Sequence, residues 1–376
     1  MKILVAPDSF KGSLSAMEAA LAMKEAIEEL DIGAEVVLLP AADGGEGTMA
    51  TMVSATGGSL VSHSVDGPFG GQVNAAYGIL GDGSTCVIEI AEASGLMLLS
   101  PHERNPDTAS SYGTGELIRH ALDAGFREFI IGLGGSATND GGAGMLEALG
   151  MKFLDRNGEL LPRGGGALDD LAVIDVSDFD QRISESRFVI ASDVENPLIG
   201  ENGASAIFGP QKGASPEAVK KLDANLRNFA DIVEQQTGIA LHDRKGAGAA
   251  GGAGGAMQAF FSGSMQRGID VVLDAILFHQ HLGTVDLIVT GEGKTDSQTL
   301  SGKTPLGIAQ AAQKAGKPVI LISGMVDSTS LPLLMPYFTE IHSVVGGDVT
   351  VKQSISDPYR QLKAKTQESI GTYLKR

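Results

Sequence analysis

Six polar, glycine-rich segments carry residue types that can bind phosphate, hold a magnesium ion or move a proton. Ala6-Pro7-Asp8-Ser9-Phe10-Lys11-Gly12-Ser13 sets a carboxylate and an ammonium beside an expected helix start, whose N–H groups favour an anion. Ala42-Asp43-Gly44-Gly45-Glu46-Gly47-Thr48 places two carboxylates beside three glycines, and alone it reads equally as a turn and cap. Gly132-Leu133-Gly134-Gly135-Ser136-Ala137-Thr138-Asn139-Asp140-Gly141-Gly142 can cradle phosphate on successive backbone N–H groups. Its Gly132-x-Gly134-x-x-Ala137 spacing also fits a dinucleotide fingerprint, with Asp155 near the expected ~20 residues downstream. Against that rival, Asn139, Asp140, Gly141 and Gly142 are poor residues with which to open a helix.

Ser192-Asp193-Val194-Glu195-Asn196-Pro197 follows an apparent strand, Phe188–Ala191, and an acid there can bind magnesium or accept a hydroxyl proton. Lys212, in Phe208-Gly209-Pro210-Gln211-Lys212-Gly213-Ala214, precedes a helix capped at Ser215 and is either a phosphate contact or a solvated cation. Thr290-Gly291-Glu292-Gly293-Lys294-Thr295-Asp296-Ser297 and the following Ser301-Gly302-Lys303-Thr304 each contain a GKT triplet. Neither completes a Walker A loop, because the required earlier glycine falls at Ile288 or Ser297. Glu292, Lys294 and Asp296 still offer phosphate-and-metal chemistry at a strand end. The histidines lack zinc-like spacing and no Gly-x-Ser-x-Gly elbow is present, so zinc and hydrolase chemistry have no positive support.

These segments need a scaffold that ends strands in loops. Lys2–Ala6, a helix over Ser15–Leu30 and Glu35–Leu39 form a βαβ opening, and the alternation returns at Asp286–Thr290, Pro305–Ala315, Pro318–Ser323 and Ile341–Val345. Both chain ends therefore predict one Rossmann-like, doubly wound α/β domain, residues 1–66 with 283–376. Val73–Leu80 and Thr85–Ile90, joined by Gly81-Asp82-Gly83, read as antiparallel strands of a second α/β domain inserted over 67–282. The tract Gly246–Ala256 reads as a linker or as small residues permitting close packing into Met257, Phe260 and Phe261.

With 28 Lys plus Arg against 46 Asp plus Glu, the net charge of −18 argues against nucleic-acid and anionic-membrane partners. Anions must then be held by local donors, which the 51 glycines, about twice the usual ~7%, can supply through their backbones. The single cysteine, Cys86, allows no intrachain disulfide and reads as a buried strand residue. The N-terminus shows no signal-peptide pattern and no run approaches the ~20 apolar residues of a span, so a cytoplasmic location is expected.

Taken in order, APDSFKGSLSA, ADGGEGT, SYGTGELIRHAL, GLGGSATNDGGAG, NPLIGENGAS, FGPQKGA and TGEGKTDSQTLSGKTP resemble the bacterial class II glycerate kinase family over residues 1–310. The resemblance implies an ATP-dependent kinase of D-glycerate, usually forming 2-phosphoglycerate, in glyoxylate, glucarate or galactarate catabolism. It also implies ligands in a cleft between a Rossmann-like domain and a second α/β domain. Phosphoryl transfer needs positioning, charge neutralisation and a proton acceptor. By that chemistry, ATP phosphates are expected against Gly134, Gly135, Ser136, Ala137, Thr138, Asn139, Asp140 and Gly141, with Lys212 and Lys294 as cations. Mg2+ is expected near Asp193 or Asp296. Glycerate would meet Lys11 or Arg104 through its carboxylate, beside Ser9, Phe10 and Asp43, with Asp8 or Asp193 near the reacting hydroxyl. A 3-phosphoglycerate-forming kinase, an NAD-dependent dehydrogenase and a non-enzymatic sugar-acid binder remain as alternatives.

Overall fold

The computed structural model describes residues 1–375, the side chain of Ser301 apart. The chain forms two compact units, one from Met1–Asp43, Ala50–Gly57 and Ile269 onward, the other from Gly44–Met49 and Gly58–Gly268.

The first unit is built on a five-stranded sheet in the order Glu340–Ser343, Val319–Val326, Leu287–Thr295, Lys2–Val5, Glu35–Leu38, every neighbouring pair parallel. Its central residues are apolar without alternation because both faces are covered. Ile3, Val5, Val289 and Ile320 pack with Met23 and Ile27 of helix Ala16–Glu28 and with Leu362 and Ile370 of helix Pro358–Tyr373. The intervening Leu4 and Ile288 are equally buried and turn to the opposite face, where helix Thr304–Lys314 contacts the central strands. Helix Ala16–Glu28 starts where Ser15 and Glu18 exchange backbone and side-chain hydrogen bonds in a capping box. The chain leaves Lys2–Val5 toward one sheet edge and Leu287–Thr295 toward the other. Their loops therefore diverge and open a crevice at the carboxyl ends of the strands.

The second unit holds a six-stranded sheet in the order Ser264–Gln266, Arg187–Ala191, Glu128–Gly132, Thr85–Glu89, Gln72–Ile79, Ser59–Asp66. The first four strands are mutually parallel, and the last two pair antiparallel. Cys86 is buried in Thr85–Glu89, where burial also pushes its thiol pKa well up and leaves it unreactive. The Gly/Ala tract is no linker: it forms a buried 3-10 turn, Ala249–Gly252, and helix Ala253–Phe260. Gly251 has φ +65°, and a Cβ there would run into the Thr138 carbonyl, so close backbone approach explains the glycine.

The unit boundaries differ from the expected 66/67 and 282/283. Ser59–Asp66 is zipped along its whole length onto Gln72–Ile79, from Ser59 opposite Ile79 to Asp66 opposite Gln72, which keeps both strands in the second unit. Residues from Ile269 onward join the first unit, where Ile269 packs so closely on Gly307 that a Cβ there would clash with it. Among the described residues, no helix is long and apolar enough to cross a membrane.

Candidate active site

A cavity of about 430 Å³ occupies the crevice of the first unit. Asp8 enters it because its N–H bonds the Gly291 carbonyl at 2.8 Å, extending the pairing of strands Lys2–Val5 and Leu287–Thr295 beyond the sheet. One Asp8 oxygen accepts from Thr304 Oγ1 at 2.6 Å and the other from the Ser9 N–H at 2.6 Å. Burial, and then the charge of Asp43, push the Asp8 pKa up to about 6. Glu292, only 5% exposed, accepts from Thr295 Oγ1 at 2.8 Å and Thr299 Oγ1 at 2.7 Å through the same oxygen. Its other oxygen lies 4.0 Å from Lys303 Nζ. Burial outweighs these partners and raises Glu292 to about 7. Ser9, Phe10, Lys11, Asp43, Lys294 and Lys303 also line the cavity.

The sequence reading thus brought Asp8, Ser9, Phe10, Lys11, Asp43 and Lys294 to one place. It names Glu292 as a phosphate-and-metal candidate without foreseeing its burial, and Lys303 only as part of its segment. Asp296 lies outside the lining: one oxygen accepts the Gln298 N–H at 2.9 Å to cap the turn Ser297–Ser301, and the other pairs with Lys294 Nζ at 3.0 Å. That pairing, with Lys294 its largest cause, holds the Asp296 pKa below the usual range. An acid so engaged serves as a cap and counter-ion, which corrects its expected role as an open metal ligand.

The glycine-rich loop of the second unit also differs from the expected phosphate cradle. Several of its donors are engaged within the unit: the Ala137 N–H bonds Ser94 O at 2.8 Å and the Gly141 N–H bonds Gly251 O at 2.9 Å. Gly134 and Gly135 retain some exposure, whereas Ser136, Ala137, Thr138, Asn139, Asp140 and Gly141 are buried. Asp140 accepts from the Ser111 N–H and Oγ, both at 2.8 Å, and from the N–H groups of Gly142 and Gly144. Asn139 donates to Ser205 Oγ at 2.9 Å. Lys212 is 2% exposed and donates to Ser136 Oγ at 2.9 Å and Thr138 O at 2.6 Å, so it ties the loop together from inside and is not a solvent-facing phosphate contact.

The dinucleotide fingerprint fails on the same geometry. After strand Glu128–Gly132 the chain runs to Gly142 before a helix of only six residues, Ala143–Ala148, begins. Asp155 is occupied in its own turn, accepting the N–H groups of Asn157 and Glu159. Arg104 stands on the Lys212 segment, Nη1 donating to Gln211 O at 3.2 Å. Asp193 follows strand Arg187–Ala191, is exposed, and accepts the Gly268 N–H at 3.1 Å. Neither lies in the unit that holds Asp8. Sequence reasoning missed Glu89 altogether: buried at the end of strand Thr85–Glu89, it accepts the N–H groups of Gly47 and Met49 and so shapes the Asp43–Thr48 turn.

Burial depresses Lys212 from 10.5 to about 7. Between those values the unfolded chain carries the proton and the folded one does not. Stability should therefore rise with pH from about 7 to 10.5, by up to about 1.4 kcal/mol per unit. Urea denaturation across this window should show the rise in the natural chain and lose it in Lys212→Met; equal slopes would mean that Lys212 stays charged when buried.

A family profile described as the glycerate kinase family matches residues 3–375. The chain is 46% identical over 375 residues to a glycerate kinase of Bacillus subtilis strain 168, covering 100% of this chain and 98% of that protein. It is 49% identical over 324 residues to the glycerate 2-kinase of Escherichia coli K12, covering 86% and 85%. A crystal structure assigned to glycerate kinase 2 of Salmonella typhimurium LT2 superposes with a TM-score of 0.90 at 45% identity, covering 99% of this chain and 98% of that one.

Proposed function

This chain belongs to the glycerate kinase family, and on that premise we propose that it moves the γ-phosphoryl group of ATP onto the C2 hydroxyl of D-glycerate, releasing ADP and 2-phosphoglycerate. The observation that carries the reading is the first unit's cavity, which Asp8, raised to about 6, lines together with Lys11, Lys294 and Lys303 at the carboxyl edge of a parallel sheet. A carboxyl poised there can take the proton of the attacking hydroxyl as its oxygen bonds to phosphorus and the bond to the ADP oxygen breaks. Lys11 and Lys294 neutralise substrate carboxylate and phosphate, and Ser9 supplies a hydroxyl at the same wall. Phe10 is buried and keeps the loop anchored by its backbone bond to Leu14.

The cavity also fits a magnesium ion. Asp43 raises the pKa of Asp8, a like-charge excess that a divalent cation relieves, and Mg2+ needs only one or two carboxylates when phosphates and water complete its shell. Asp43 would hold it, and the ion supplies charge neutralisation at the phosphates. Asp193, in the other unit, is assigned no step in this reading.

The name of the Escherichia coli relative favours phosphorylation at C2, and the reading places the enzyme in the cytoplasm in the breakdown of glyoxylate, glucarate or galactarate. Incubation with ATP, Mg2+ and D-glycerate should give ADP only when glycerate is present, with turnover in the ~1–100 per second range of kinases. Phosphorus NMR of the product should show 2-phosphoglycerate. A dominant 3-phosphoglycerate signal would reject the regiochemistry, and absence of glycerate-dependent ADP would reject the activity.

A further inference from the structure

The cavity of the first unit has two unlike sets of lining residues. Besides the acids and lysines, its wall carries Met325, which pairs across the strands with Lys294, and Val344, Val345, Val351, Ile355 and Leu362. Val344 and Leu362 are core residues, but Met325, Val351 and Ile355 are 36%, 49% and 62% exposed. Apolar side chains left open on a concave wall, beside charge, call for a ligand with an apolar body and an anionic tail. D-glycerate is polar at every carbon and cannot complement that wall. Of the two reactants, only the nucleotide carries both parts, an aromatic base and a polyphosphate. The glycine-rich loop of the second unit is a poorer host, since residues 136–141 are buried and the Ala137, Gly141 and Gly142 N–H groups bond within the unit.

We propose, building on the kinase reading above, that the nucleoside of ATP binds against Met325, Val345, Val351 and Ile355, its phosphates running toward Lys11, Lys294 and Lys303. The assignment moves the nucleotide to the Rossmann-like unit. It makes segment Val344–Ile355 the part of the chain that selects the base.

The chain contains no tryptophan, so a single introduced indole reports on its own position. Ile355→Trp is expected to fold, because the side chain is largely exposed, and its emission should change on titration with ATP or ADP and not with D-glycerate. Met97→Trp, on a 76% exposed residue of the second unit beside the glycine-rich loop, should stay silent. Ile355→Asp should raise the KM for ATP about tenfold or more while the KM for glycerate moves little. An Ile355→Trp protein that still makes ADP but gives no nucleotide-dependent signal would overturn the proposal. So would a signal confined to Met97→Trp, or an Ile355→Asp effect confined to glycerate. Loss of the kinase reading itself would appear separately, as absence of glycerate-dependent ADP from the unaltered chain.

Discussion

Asp8→Asn should lower kcat by roughly 10²–10⁴ while leaving the fold intact, if Asp8 accepts the proton of the attacking hydroxyl. Asparagine keeps its oxygen for the Ser9 N–H, and its NH2 group can donate to the Thr304 hydroxyl, which rotates to accept, so both local contacts can be kept. Only the basic function goes. The pH dependence supplies a stricter test. A proton acceptor works when ionised, and with a pKa of about 6 its ionised fraction falls about tenfold per unit below that value. Log kcat/KM should therefore climb with pH up to about 6 and flatten above it. Glu292, raised to about 7, adds a second acid limb if its charge is also required. Asp8→Asn deletes the limb near 6. It also removes one of the charges that raises Glu292, so any remaining limb should move below 7. A folded Asp8→Asn enzyme with near-natural turnover, or with an unchanged pH profile, would remove Asp8 from the mechanism.

What could be read from the sequence followed from local pattern. The short apolar runs within Lys2–Ala6 and Pro318–Ser323, alternating with helical patterns, read as strands of a doubly wound sheet, and Ser15 stands at the start of the first helix. Asp8, Lys11 and Asp43 were legible because open α/β sheets put their chemistry where strands end. The errors arose where a residue's fate is decided by a distant partner. Gly134–Gly141 has the composition of a phosphate cradle, but its Ala137 and Gly141 N–H groups are claimed by Ser94 and Gly251, far away in sequence. Lys212 looks like a solvated loop cation because nothing nearby in sequence tells of the carbonyl of Thr138. Glu292 was visible as an acid in a strand-end loop. Its burial under Thr295 and Thr299, which gives it a distinctive pKa, depends on how the following turn folds back.

The same distinction makes Asp140→Ala a strongly disruptive change in the second unit. Asp140 is fully buried, and its carboxylate is the acceptor for two donors of Ser111 and for the N–H groups of Gly142 and Gly144. Each buried donor left without an acceptor costs about 1–3 kcal/mol, so the substitution should destabilise the unit by on the order of 4 kcal/mol or more. Asp140→Asn keeps the size but turns an NH2 group toward N–H donors, so it should also destabilise. A residue used to contact phosphate or metal would behave in the opposite way, losing turnover in Asp140→Asn with little loss of stability. Urea denaturation followed by circular dichroism separates the two, and a natural midpoint in Asp140→Ala would refute the internal role. Lys212 supplies an independent readout. The Asp140 charge is what opposes the depression of the Lys212 pKa, so its removal should carry that pKa below 7 and extend the pH-dependent rise in stability to lower pH.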